Sequence, residues 1–117
     1  MPRQLRLSPA ATIDRDAIWS YTAKRYDAEQ ADAYDLLVGQ ALQDIAEDPE
    51  RPTSRLHPEF GPDVRSYHIS LSKKRSGTRI GKPRHEMFYT LEFEDVVFVM
   101  RIIKDDMDPS RHLDEFL

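Results

Sequence analysis

The chain has no cysteine. That excludes disulfides and thiolate zinc sites, and it fits a cytoplasmic protein. No apolar run approaches the roughly 18 residues that would predict a membrane-spanning helix. The N-terminus, Met1-Pro-Arg-Gln-Leu-Arg-Leu, lacks the apolar stretch of a signal peptide. Glycine-rich phosphate loops and nucleophile elbows are missing. His57, His68, His85 and His112 lack metal-ligand spacing, so neither a metal nor a cofactor is expected. Acids are missing from one stretch. Between Leu71 and His85 stand Lys73, Lys74, Arg75, Arg79, Lys82 and Arg84 with no Asp or Glu, although the whole chain carries a net charge of −4. The basic segment therefore holds +6 and the remainder −10, so attraction to an anionic surface is expected only locally.

What is present fits one globular domain over residues 1–117, with 39% hydrophobic and 32% charged residues. Alternation over Arg3–Leu7 predicts a short strand. Ser8-Pro9 reads as an N-cap followed by proline at the first helical position. Ile13, Ala17, Ile18 and Tyr21 recur at helical spacing, predicting a helix from Pro9 to Arg25 with Trp19 at the margin of its apolar stripe. Asp14 and Asp16 toward its start and Lys24 and Arg25 at its end complement the helix dipole. A second helix opens at Asp27, three residues before Gln30, and stops near Asp48 because Pro49 follows. The short connection predicts an antiparallel helical hairpin.

Pro49–Asp63 reads as a proline-rich loop. A strand is expected from Val64 to Leu71, with Arg65, Tyr67, Ile69 and Leu71 on one face, and then a long hairpin loop over the basic segment. Glu86–Phe93 alternates as a half-buried strand. Glu94-Asp95 marks a tight turn without glycine. Val96–Ile103 is apolar on both faces except at Arg101, which predicts a central strand. The tail after Met107 is expected to form one helical turn from Pro109. The fold class is α+β: a strand, a helical hairpin, a three-stranded antiparallel meander and a short C-terminal tail. The partner of the first strand is not readable.

Arg65 and Arg101 support two readings, as cations for a bound target or as structural ion pairs with acids such as Glu92 or Asp105. Lys104 would serve as a base only if burial lowered its pKa markedly. His85 and His112 are possible acids for RNA cleavage, but sequence does not place them. The basic segment is either a solvated loop or a contact to DNA or acidic protein. It has no aromatic residue from Leu71 to Arg84, which argues against stacking on single-stranded bases. Trp19 and Tyr21 read as core or hairpin surface, or as an apolar margin that docks a partner helix. Met107-Asp-Pro-Ser-Arg-His-Leu113 would present Arg111 and His112 rigidly if Asp108 caps it.

Taken in order, Leu7-Ser-Pro-Ala-Ala, Asp16-Ala-Ile-Trp-Ser-Tyr-Thr, Ala31 with Tyr34, Arg65-Ser-Tyr67, His85 with Phe88-Tyr89, Arg101-Ile-Ile and Met107-Asp-Pro with Arg111-His-Leu113 resemble the ParE branch of the RelE/ParE toxin superfamily. The resemblance implies the toxin of a type II toxin–antitoxin pair, acting on DNA gyrase with its bound DNA and neutralised by a ParD-like or other small antitoxin in a hetero-oligomer. The implied role is inhibition without catalysis. A messenger-RNA endonuclease and a non-toxic antitoxin-binding module are the alternatives. Target-binding candidates are Arg65, Arg101, Lys104, Met107, Arg111 and His112. Antitoxin-binding candidates are Trp19 and Tyr21. The chain departs from the family pattern in its long basic segment and in Lys104, which stands where ribonuclease members often have a histidine.

Overall fold

Ser8 is fully buried at the junction of the first two elements. Its hydroxyl accepts from Ala11 N at 2.9 Å, capping the first helix, and donates to Met100 O at 2.7 Å. One side chain thus ends strand β1 (Gln4–Leu7), starts helix α1 (Pro9–Arg25) and pins both to strand β5 (Val96–Lys104). The computed structural model describes residues 3–113. The first two and last four residues of the expected 1–117 domain lie outside the described residues.

Helix α2 (Ala28–Glu47) follows after two residues. Asp27 caps it by accepting from Gln30 N at 2.8 Å, as the spacing predicts. The later elements are β2 (Arg55–Leu56), β3 (Val64–His68), α3 (Lys73–Ser76), β4 (His85–Thr90) and β5, with a 3₁₀ turn at Pro109–Arg111. The five strands form one sheet in the order β1-β5-β4-β3-β2. β3, β4 and β5 are the expected antiparallel meander. β1 joins it parallel to β5, pairing Gln4 with Val96 through Leu7 with Val99.

The helical hairpin covers one face of the sheet. Leu37, Val38, Ala41 and Ile45 of α2 meet Tyr67, Met87, Tyr89, Val97 and Ile102 in the main core. The other face carries a smaller cluster of Val64, Phe88, Met100, Ile103 and Leu113, with Phe60 and Phe98 against it. Burial on both faces is why β5 reads as continuously apolar. Leu113 anchors the tail there, and Asp108 caps the tail's turn by accepting from Ser110 N at 3.0 Å.

Several expectations need correction. The strand expected through Leu71 stops at His68, and Ile69–Ser72 is a 3₁₀ turn that continues into α3. Helical winding sends both Ile69 and Ser72 inward and leaves Leu71 48% exposed, a pattern that alternation would not give. The basic segment is therefore not one long hairpin loop. Gly77 ends α3 at φ +71°, a conformation that glycine adopts without strain. The proline-rich stretch contains β2, which pairs antiparallel with β3. β4 ends at Thr90 rather than Phe93. The Thr90 hydroxyl donates to Pro62 O and accepts from Glu92 N, which turns the chain out of the ladder. The turn into β5 is made by Asp95 at φ +59°, since aspartate tolerates the left-handed region better than most residues.

The apolar stripe of α1 also differs from its reading. Ile18 is buried with Ala11 and Thr22, whereas Ile13 and Tyr21 are 67% and 63% exposed. Ala17 is exposed as well, so Ile18 alone of the four stripe residues is buried. Among the described residues no helix is long and apolar enough to cross a membrane.

Candidate functional site

β1 ends at Leu7 opposite Val99, but β5 runs on to Lys104. Beyond Val99 the flank of β5 has no strand neighbour on that side among the described residues, and α1 lies alongside instead. Between them opens a cleft of about 270 Å³, lined by Asp14, Ala17, Ile18, Tyr21 and Thr22 of α1, by Arg101–Lys104 and His85 of the sheet, and by Met107 and His112 of the tail.

Asp14 closes the buried end. One carboxylate oxygen accepts from Arg101 Nε at 2.7 Å and from Ile102 N at 2.9 Å, and the other accepts from Arg101 Nη2 at 2.8 Å. Arg101 Nη1 also donates to His112 O at 3.1 Å. The pair is bidentate, with both side chains only 13% exposed. Arg101 is thus paired with Asp14, not with Glu92 or Asp105. Asp14 serves this contact rather than the helix dipole, since the first turn of α1 holds no acid.

His85 is fixed by Tyr34. The Tyr34 hydroxyl accepts from Arg84 N at 3.0 Å and lies 2.6 Å from His85 Nδ1. The phenol oxygen can donate its proton or accept a second bond, so the direction of the Tyr34–His85 bond follows the ring tautomer. Burial, reinforced by the nearby charge of Lys104, pushes the His85 pKa down to about 4, and burial pushes that of Tyr34 up. At neutral pH His85 is uncharged. Lys104 forms no ion pair among the described residues.

This has a consequence in acid. The unfolded chain protonates near pH 6.5, before the folded one does, so stability is full above that value and declines as pH falls toward 4. The expected loss is on the order of 3 kcal/mol. Urea unfolding at pH 7.5 and 4.5 should show it in the native chain and a much smaller loss in His85→Gln.

The cleft gathers Arg101, Lys104, Met107 and His112 of the expected target-binding residues, together with Tyr21, which was expected to meet an antitoxin. The other candidates lie elsewhere. Arg65 donates to Ser54 Oγ at 2.9 Å and has no acid partner there. Arg111 is 82% exposed beside Asp108. Trp19 is 38% exposed and ties the helices together, its Nε1 donating to Asp32 Oδ1 at 2.9 Å. In the basic segment Arg75 is paired with Asp44 and Glu47, and Arg84 with Asp105 and Asp106. The pairing of Tyr34 with His85 and the clamping role of Asp14 are not legible in the sequence. Tyr34 stands 51 residues from His85 and Asp14 stands 87 from Arg101, so no local pattern links them. No group of metal-ligating side chains occurs among the described residues.

A helical hairpin on a five-stranded sheet, with a cleft built on an arginine and flanked by a capped tail, makes a small α+β domain. The family model described as "ParE toxin of type II toxin-antitoxin system, parDE" matches residues 5–109, and the chain belongs to that family. "Toxin ParE1" of Caulobacter vibrioides is 28% identical over 108 residues, covering 92% of this chain and 95% of the relative. "Toxin ParE1" of Mycobacterium tuberculosis is 26% identical over 113 residues, covering 97% and 100%. A solved chain described as "Chromosomal ParDE TA system from P. aeruginosa" superposes with a TM-score of 0.67 at 14% identity, over 87% of this chain and 95% of that one, and so shares the fold.

Proposed function

We propose that this ParE-family toxin arrests growth by holding DNA gyrase through the cleft between α1 and β5, without cutting a substrate itself. The observation that carries the non-catalytic part is the pairing of Arg101 with Asp14. His85 Nδ1 is occupied by the Tyr34 hydroxyl, and burial holds the ring uncharged at neutral pH, so it is not set to act as a general acid. Arg101 is neutralised by Asp14 rather than aimed at a phosphate. What remains suits binding: Tyr21, Ala17, Ile18 and Met107 as apolar wall, and Lys104 as a cation. Family membership supports gyrase as target and a ParD-like antitoxin as the cytoplasmic partner that neutralises the toxin in a hetero-oligomer. The exposed side chains of Ile13 and Tyr21 on α1 suit an amphipathic antitoxin segment.

Purified chain should inhibit gyrase supercoiling. Tyr21→Ala or Lys104→Glu should each weaken that inhibition by roughly thirtyfold, as loss of an interface anchor of about 2 kcal/mol does. Thermal melting should be little changed. Intact supercoiling together with cleaved transcripts would assign the endonuclease activity instead. Normal growth at verified protein levels would leave an antitoxin-binding module.

A further inference from the structure

The basic segment between β3 and β4 is built, not merely charged. Ser72 is fully buried. Its hydroxyl donates to Asp44 Oδ2 at 2.5 Å, and Tyr67 Oη lies 2.8 Å from the Ser72 hydroxyl oxygen. Arg75 Nη1 donates to Asp44 Oδ1 at 2.8 Å. Ile80 inserts into the main core. At the far end Arg84 Nε donates to Asp105 Oδ1 at 3.1 Å, and its backbone N–H donates to Tyr34. Two of the six cations are therefore used as staples. The other four, Lys73, Lys74, Arg79 and Lys82, form no ion pair among the described residues. A loop kept only for solubility would need no such anchoring. Here the ordering cost of presenting four unpaired cations has been met in the folded state.

We infer that this strap is a binding surface for the phosphate backbone of duplex DNA. The four cations are unpaired, and no acid lies between Leu71 and Arg84 to oppose a polyanion. Single strands fit less well, because the segment offers no aromatic side chain for base stacking. An acidic protein fits less well too, because Leu71 is the one large exposed apolar side chain beside the cations and a protein interface needs buried anchors. With Lys and Arg as its cations the strap is suited to contact without sequence preference. This inference does not rest on gyrase being the target, since it concerns naked DNA and residues outside the cleft.

The test is fluorescence anisotropy of a labelled 20-base-pair duplex with the full chain across a salt series. Four phosphate contacts predict a slope of log affinity against log salt of about −3.6, or roughly a hundredfold weakening between 50 and 200 mM salt. Lys74→Gln, Arg79→Gln and Lys82→Gln together, all at exposed positions, should bring the slope to about −1, with the melting temperature unchanged. Lys24→Gln with Arg25→Gln at the end of α1 should leave it as in the native chain. The inference fails if no binding is seen at 50 mM salt, or if the control pair lowers the slope as much as the strap variant. Tighter binding of single-stranded DNA, or of a polyglutamate peptide, overturns the duplex assignment. The cleft variants Tyr21→Ala and Lys104→Glu should each weaken gyrase inhibition roughly thirtyfold while keeping the slope, so the two readings fail separately.

Discussion

Asp44→Ala should cost roughly 3–5 kcal/mol of stability, a large share of the 5–15 kcal/mol typical of a domain. The carboxylate is 1% exposed on α2, far from solvent for an ionised group. It persists because Ser72 and Arg75 donate to it from the basic segment and Gln40 Nε2 donates from one turn earlier at 3.0 Å. Bonds to a charged acceptor are worth about 1.5–3 kcal/mol each, and their loss leaves the buried Ser72 hydroxyl with Tyr67 Oη as its partner. Arg75 is 56% exposed and can turn to water, which keeps the cost at the lower part of that range. Asp44→Asn retains the shape and an acceptor and should cost about half as much. Urea titration should show a shifted midpoint with an unchanged slope. Trypsin should also cut faster after Lys73, Lys74 and Arg79 in the alanine variant, because the local opening of the strap becomes easier. A loss below about 1 kcal/mol, with no change in cleavage, would mean the strap is held by its other anchors, Ile80 and Arg84.

The same network shows what sequence can and cannot reveal. Ser8 before Pro9, Asp27 before Gln30 and Asp108 before Pro109 each cap a helical turn within three residues, and all three act as read. Local chemistry is legible because both partners lie in one short window. The alternation of β4 and the apolar run of β5 revealed the meander for the same reason. The parallel seat of β1 against β5 joins segments 92 residues apart, Gln4 with Val96 through Leu7 with Val99, and nothing in either segment names the other. The stripe on α1 is more instructive. Its periodicity correctly marked an apolar side, but Ile13 and Tyr21 face outward rather than into the core. Periodicity reports that a face seeks a partner and not whether the partner belongs to the same chain. Likewise Arg101 stood out as a lone charge in a buried strand, while its acid, Asp14, was assigned to the helix dipole. Charge in an apolar context signals a pair without identifying the mate.

Arg101→Ala is therefore expected to act first on the fold, not on the target alone. Removing one member of a buried, bidentate pair costs about 3–5 kcal/mol, because the other is left charged and poorly solvated. Here Asp14 would keep one bond, from Ile102 N, and the tail would lose its hold at His112 O. The expected result is a lower urea midpoint and a less closed cleft. Asp14→Ala should cost a similar amount through the same pair, with the Ile102 amide left unpaired as well. Combining the two should cost less than the sum of the singles by at least about 1 kcal/mol, since the second change removes a charge that the first had stranded. A strictly additive double variant would show that the pair is not coupled. Toxicity then separates the remaining roles. If gyrase inhibition per folded molecule, measured well below the melting temperature, is kept in Arg101→Ala, Arg101 shapes the cleft from within. If it is lost while Tyr21 and Lys104 are intact, the guanidinium reaches the target directly, and its bond with Asp14 must open on binding.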